Sequence, residues 1–210
     1  MISKNTSLVF LSLFLFLSAS AQRNKPVAET AGANSSLIKF TENKGQWENN
    51  VLYRAQLDGG VLFLEKNCFT YSFYEKEKVR RNHVVPPGTT LSKEEMQIRE
   101  HAFRITLKNS LPGVRVSSQK KSSNYSNYFI GNNPARWASK AYDYSMVYYK
   151  NLYDGIDLEV NGKDNSLKYN FIVLPGADAK QICMQYYGVS NLKLENGSLH
   201  ITTPLTTIIE

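Results

Sequence analysis

YKNLYDGIDLEVNG (residues 149–162) and LKYNFIVLPGADA (residues 167–179) decide the fold class of this 210-residue chain. In the first, Ile156, Leu158 and Val160 alternate with Asp157, Glu159 and Asn161; in the second, Leu167, Tyr169, Phe171 and Val173 alternate with Lys168, Asn170 and Ile172. A period of two is that of a β-strand with one face turned to a core. Immediately upstream, Tyr142, Tyr144, Met146 and Tyr148 share one face of a third segment, and Asp143, Ser145, Val147 and Tyr149 share the other. Tyrosine on both faces predicts that one edge or face of this strand meets a loop or a neighbour, and not open water.

Working outward, the same pattern predicts strands over 51–57, 61–64, 68–74, 102–107, 114–118, 142–149, 156–160, 167–173, 182–187, 192–194 and 199–203. Asp58-Gly59 and Asn196-Gly197 lie between alternating runs as two-residue hairpin turns, and Asn161-Gly162 and Pro175-Gly176 mark further reversals. One interruption, about residues 75–101, opens on the charged run EKEKVRR, read as a solvated loop, and passes through Pro86-Pro87-Gly88. Ser92-Lys93-Glu94-Glu95 then forms a capping-box pattern that can start one short helix through about Arg99. The expected architecture is all-β, an antiparallel two-sheet β-sandwich with one loop and short-helix insertion. No repeat of propeller or solenoid period is visible.

The N-terminus reads as a targeting segment. Lys4 supplies a positive start, LVFLSLFLFL (8–17) an apolar stretch, and Ala19-Ser20-Ala21 a small-residue cleavage site, so residues 1–21 are expected to be a signal peptide. The apolar stretch is shorter than the ~18 residues of a membrane span, and no second one follows, so no membrane span is expected after cleavage. Residues 22–36, polar and small, read as a flexible leader, and 37–210 as a single domain. Loss of Lys4 lowers the formal charge from +7 to +6. The basic residues are scattered and no recognition helix appears, so nucleic acid is not an expected partner; acidic glycans or an anionic envelope surface suit the charge better.

Cys68 and Cys183 could form one long-range disulfide if their strands are adjacent, and are otherwise two buried thiols. Asp154, Asp157 and Glu159 are the candidates for a metal or carboxylate site, since Asp157 and Glu159 point the same way on a strand; a solvent-facing polar stripe explains the spacing equally well. His83, His101 and His200 stand at no metal-ligand spacing, and no catalytic motif occurs, so neither a catalytic residue nor a cofactor is expected. Trp137, Tyr142, Tyr144 and Tyr148 could make a binding platform for a partner protein or sugar ring. Against that, Trp137 would plug one end of the sandwich, with the Asn and Gly residues of NYSNYFIGNNPARW (124–137) setting tight turns.

FTENKGQW (40–47), NYSNYFIGNNPARW, YKNLYDGIDLEVNG and LKYNFIVLPGADA together resemble the uncharacterised N-terminal domain of large secreted Bacteroidota proteins. In those proteins it precedes SBBP-type propeller repeats, PKD-type modules and gliding-motility-associated C-terminal sorting domains. The resemblance covers about residues 40–203, and its Gly-Ile-Asp triplet matches Gly155, Ile156 and Asp157. It implies an exported, noncatalytic module for binding or structural support in an adhesin-like cell-surface or secreted protein, with glycan or an envelope protein as partner and repeat modules downstream. The chain ends at Glu210 in the apolar run ITTPLTTIIE, from which a C-terminally truncated domain is expected, and a periplasmic product stays open beside a surface one. The alternatives are a polysaccharide-active enzyme using Asp157 and Glu159, and a remnant of a longer surface protein.

Overall fold

The structure is a computed structural model that describes residues 38–86, 88–163 and 166–210. The expected signal peptide and leader lie outside the described residues. Thirteen strands and two helices follow in chain order among those described: β1 (Phe40–Glu42), β2 (Tyr53–Leu57), β3 (Gly60–Leu64), β4 (Cys68–Tyr74), α1 (Lys76–His83), α2 (Lys93–Met96), β5 (Glu100–Leu107), β6 (Arg115–Tyr128), β7 (Ala138–Tyr153), β8 (Ile156–Lys163), β9 (Ser166–Val173), β10 (Met184–Tyr187), β11 (Asn191–Glu195), β12 (Ser198–Thr202) and β13 (Thr207–Ile209). The chain is all-β and antiparallel. It forms one large curled sheet, in the order β10-β5-β4-β3-β2-β1-β7-β8-β9 with β6 also on β7, and a small sheet, β11-β12-β13.

The curl originates in β7. Along one edge β6 pairs with it from Lys150 back to Ala138. Its other edge is divided: Asp143 and Tyr144 pair with β1, and from Met146 onward β8 takes over. Two arms therefore leave the same edge of one strand and close on each other. Phe69 of β4 stacks on Tyr169 of β9 with ring centroids 5.5 Å apart and meets Tyr149 of β7 edge-on at 5.8 Å. The Tyr149 hydroxyl, fully buried, donates to the Glu65 carbonyl at 3.0 Å, so a polar atom carried into the core is satisfied. Leu62, Leu64, Ile105, Ile156, Leu158 and Val160 fill the space between the arms, and Ile201 of the small sheet joins the same core.

Several expectations need correction. Residues 161–162 do not reverse the chain but continue β8, which pairs with β9 out to Lys163 opposite Ser166. Gly162 is instead a point of close approach, where a Cβ would come within 2.6 Å of the Ile38 side chain and 3.0 Å of its backbone. The run 76–81 is not a loop but most of α1, with Glu77 in its first turn and Arg80, Arg81 and His83 in its last, which suits the helix dipole. The strand expected over 114–118 extends through Tyr128, because β7 offers it hydrogen bonds although, apart from Tyr125 and Tyr128, the side chains of the extension are Gln, Lys, Ser and Asn. A left-handed Lys120 (φ 57°) and a register shift between Lys121 and Tyr125 break up this long outer edge. The capping box does occur: Ser92 accepts from the Glu95 amide, and the Glu95 side chain accepts from the Ser92 amide.

Cys68 and Cys183 are free thiols. The adjacency that a bridge requires is missing, since β5 lies between them: Cys68 pairs with Thr106 on one side of β5, and Met184 pairs with Leu107 on the other. Two strand spacings amount to about 9.6 Å, beyond the ~7 Å limit for a disulfide. Cys68 instead accepts a hydrogen bond from Arg104 Nε at 3.2 Å.

Candidate functional site

Asp157 sits opposite an irregularity in β7. Tyr149 pairs with Leu158 and Tyr153 with Ile156, so Lys150, Asn151 and Leu152 all face the single residue Asp157. Such a bulge turns backbone donors away from the ladder, and Asn151 is left-handed there, with φ 53°. The Asp157 carboxylate collects the consequences. Its Oδ1 accepts from the Asn151 amide at 2.7 Å, and its Oδ2 accepts from the Tyr148 hydroxyl at 2.6 Å and from Lys150 Nζ at 2.9 Å.

Asp157 is only 2 % exposed. Burial pushes its carboxyl pKa up, but the bonds from Tyr148, Asn151 and Lys150 more than offset this and hold it below its ordinary value. Tyr148 responds in the opposite sense: donating to that carboxylate, with a further contribution from burial, pushes its hydroxyl up to about 12. Glu159, two residues on, accepts from Asn161 Nδ2 at 2.6 Å and, more weakly, from Asn170 Nδ2 at 3.4 Å. Asp154 belongs to the two-residue turn Asp154-Gly155, its side chain exposed. Gly155 is required in that turn, since φ is +65° and a Cβ would lie 2.7 Å from the Ala177 Cβ. Asp157 and Glu159 are thus engaged by separate partners. Among the described residues no group of three or more His, Cys, Asp or Glu is arranged to hold a metal ion.

The four aromatic residues expected to form one platform are separated. Tyr148 serves Asp157; Tyr144 packs edge-on to Tyr53 at 6.2 Å and donates to Glu42 at 3.3 Å. Tyr142 meets Tyr125 at 5.7 Å and carries Lys121 Nζ 3.3 Å from its ring centre. Trp137 does not plug the fold: it is 43 % exposed and meets Phe129 edge-on at 5.9 Å. Its indole N–H donates to the Gly131 carbonyl at 3.2 Å across the β6–β7 connection. Within that connection Asn133 caps a single 3-10 turn, Pro134–Arg136, by accepting from the Ala135 amide.

Sequence reasoning passed over the two most exposed members of this group, Phe129 at 61 % and Ile130 at 78 %. The available signal was two adjacent apolar residues in an Asn- and Gly-rich segment, where alternation gives no inward face for both. Behind the connection, Tyr128 packs edge-on to Trp47 at 5.3 Å, and Trp47 to Phe63 at 6.5 Å, tying the end of β6 to β3. Elsewhere, a cleft of about 750 Å³ opens between α1 and β13, walled by Leu57, Phe73, Leu167 and Ile208 and rimmed by Lys76 and Arg81. Among the described residues no helix is long and apolar enough to cross a membrane.

Residues 40–210, from the first strand to the last residue, match the family model described as Domain of unknown function (DUF7948). No curated protein and no solved structure matches the chain.

Proposed function

The chain belongs to the DUF7948 family, a domain of unknown function, and we propose that it is an exported, noncatalytic module that binds or supports a component of the bacterial envelope. The exposed apolar end of the β6–β7 hairpin carries this reading. Phe129, Ile130 and Trp137 are turned to water, beside a core that buries other large side chains completely. Clustered aromatic and aliphatic side chains left exposed in this way mark interaction surfaces. The signal-like N-terminus and the resemblance to secreted Bacteroidota proteins with SBBP, PKD and gliding-motility-associated modules support an extracellular, cell-surface or periplasmic location. On this reading the two facing arms of the curled sheet serve as the halves of a sandwich, a rigid base for the hairpin.

A polysaccharide-active enzyme built on Asp157 and Glu159 is less well supported. A general acid or nucleophile must reach substrate, whereas Asp157 is 2 % exposed and saturated by three donors.

Cosedimentation with washed envelopes of the native cells tests the proposal. The protein should pellet with the envelopes, and Trp137→Ala should pellet less while melting at the same temperature. Absence of binding at low ionic strength would overturn the envelope-binding reading, and equal binding by the variant would remove the hairpin from it.

A further inference from the structure

Every residue from Phe129 to Trp137 is exposed, so the apolar side chains of this connection have no cover within the described chain. The charge around them is mostly positive. Between Glu100 and Asp143 there is no acidic residue, while the hairpin itself carries Arg115, Lys120, Lys121, Arg136 and Lys140. Lys44 joins the group from outside, its Nζ donating to the Ser139 carbonyl at 2.9 Å. Glu48 is the acid at this end, and it is taken up by Arg136. Glu42 and Asp143, further down the hairpin, are held by Tyr142 and Tyr144 and by Thr41 respectively. Lys44 and Lys140 therefore flank the apolar tip without an acidic partner among the described residues, and Lys120 and Lys121 follow behind them.

We propose that the tip of the β6–β7 hairpin docks into the interface of an anionic lipid bilayer. Phe129, Ile130 and Trp137 enter the boundary between headgroups and acyl chains while Lys44 and Lys140 face the lipid phosphates. The inference rests on the reading of the chain as an envelope-binding module and narrows its partner. Ile130 decides between lipid and glycan. A sugar ring stacks on an aromatic face, which Trp137 offers, but the most exposed side chain of the cluster is a branched aliphatic with no such face. Hydrocarbon accepts Ile130, Phe129 and Trp137 alike. The flanking lysines distinguish an anionic surface from a plain apolar groove, which would not need them.

The test uses the processed protein and the double variant Phe129→Ser/Ile130→Ser in the same background, so that any contribution of the leader cancels and Trp137 remains as reporter. Vesicles of phosphatidylethanolamine with phosphatidylglycerol are the probe, with phosphatidylcholine vesicles for comparison. The protein should bind the anionic vesicles with a blue shift of tryptophan emission, bind neutral ones far less, and release as salt rises. The double variant should bind about tenfold more weakly, the effect of ~1.4 kcal/mol. A second variant, Lys44→Gln/Lys140→Asn, removes the two cations beside the tip and keeps at position 140 a residue that tolerates the left-handed backbone there, with φ 51°. It should flatten the salt dependence. Failure to bind anionic vesicles at low salt, or equal binding by the double variant, overturns the lipid proposal. If native envelopes or isolated acidic polysaccharide are still bound through Trp137, the envelope-binding reading survives with a different partner.

Discussion

At the C-terminal end of β7, three donors converge on a carboxylate that is 2 % exposed. At its N-terminal end, Phe129, Ile130 and Trp137 stand 61 %, 78 % and 43 % exposed. One strand thus runs from a place where polar groups are buried and satisfied to a place where apolar groups are bare. The residues that most resemble catalytic machinery serve the backbone, and those that most resemble core are free to meet a partner. Chemical type alone would assign the two ends the other way round; exposure and hydrogen-bond partners decide.

The sharpest way to break this comparison is Asp157→Asn. The substitution removes a charged acceptor and leaves the Asn151 amide and Tyr148 hydroxyl competing for one carbonyl oxygen, at a cost of about 2–4 kcal/mol in unfolding free energy. Denaturant titration should show it as a lowered midpoint. Because the folded Asp157 pKa lies below its unfolded value, its contribution is fully present above about pH 4 and is lost as pH falls through the folded value. The gap between wild type and variant should therefore close in acid. A fully stable variant, or a gap that persists at low pH, would separate Asp157 from the bulge.

Tyr148→Phe should cost less, about 1–2 kcal/mol, since one hydrogen bond is lost and two remain on the carboxylate. Here the sign reverses. A hydroxyl raised to about 12 stabilises the fold below its unfolded value near 10, and the benefit disappears as pH rises between the two. Alkaline unfolding curves of wild type and variant should converge across that interval. Parallel curves would mean that Tyr148 does not donate to Asp157 in solution.

How much of each end was legible in the sequence follows from what fixes it. β4 falls on its expected bounds, Cys68–Tyr74, because its alternation is a property of its own side chains. The Ser92–Glu95 capping box was readable for the same reason, being complete within four residues. β6 beyond residue 118 was not, because a Ser-, Asn- and Lys-rich segment is held extended by β7 and not by burial of its own. Asp157 shows an intermediate case. Its position on a strand and on the same face as Glu159 could be read from spacing, but its partners are assembled by a two-residue excess in β7 that leaves no pattern in either strand. The tip was half legible: Trp137 was noticed, Phe129 and Ile130 were not, since exposure of an apolar pair is decided by where the neighbouring strands stop.

The smallest expected effect is the most informative about the other end of β7. Phe129→Ser/Ile130→Ser should change unfolding free energy by less than about 0.5 kcal/mol, because side chains already in water lose little burial when shortened. Paired with Asp157→Asn, it forms a crossed design in which one variant lowers stability with little direct effect on binding and the other lowers binding with little effect on stability. Additivity is expected if the two ends share no partners. A loss of 2 kcal/mol or more in the tip variant would mean, by the cost of removing buried apolar groups, that Phe129 and Ile130 are covered in solution. The tip would then belong to the fold, and the contrast along β7 would fail at that end.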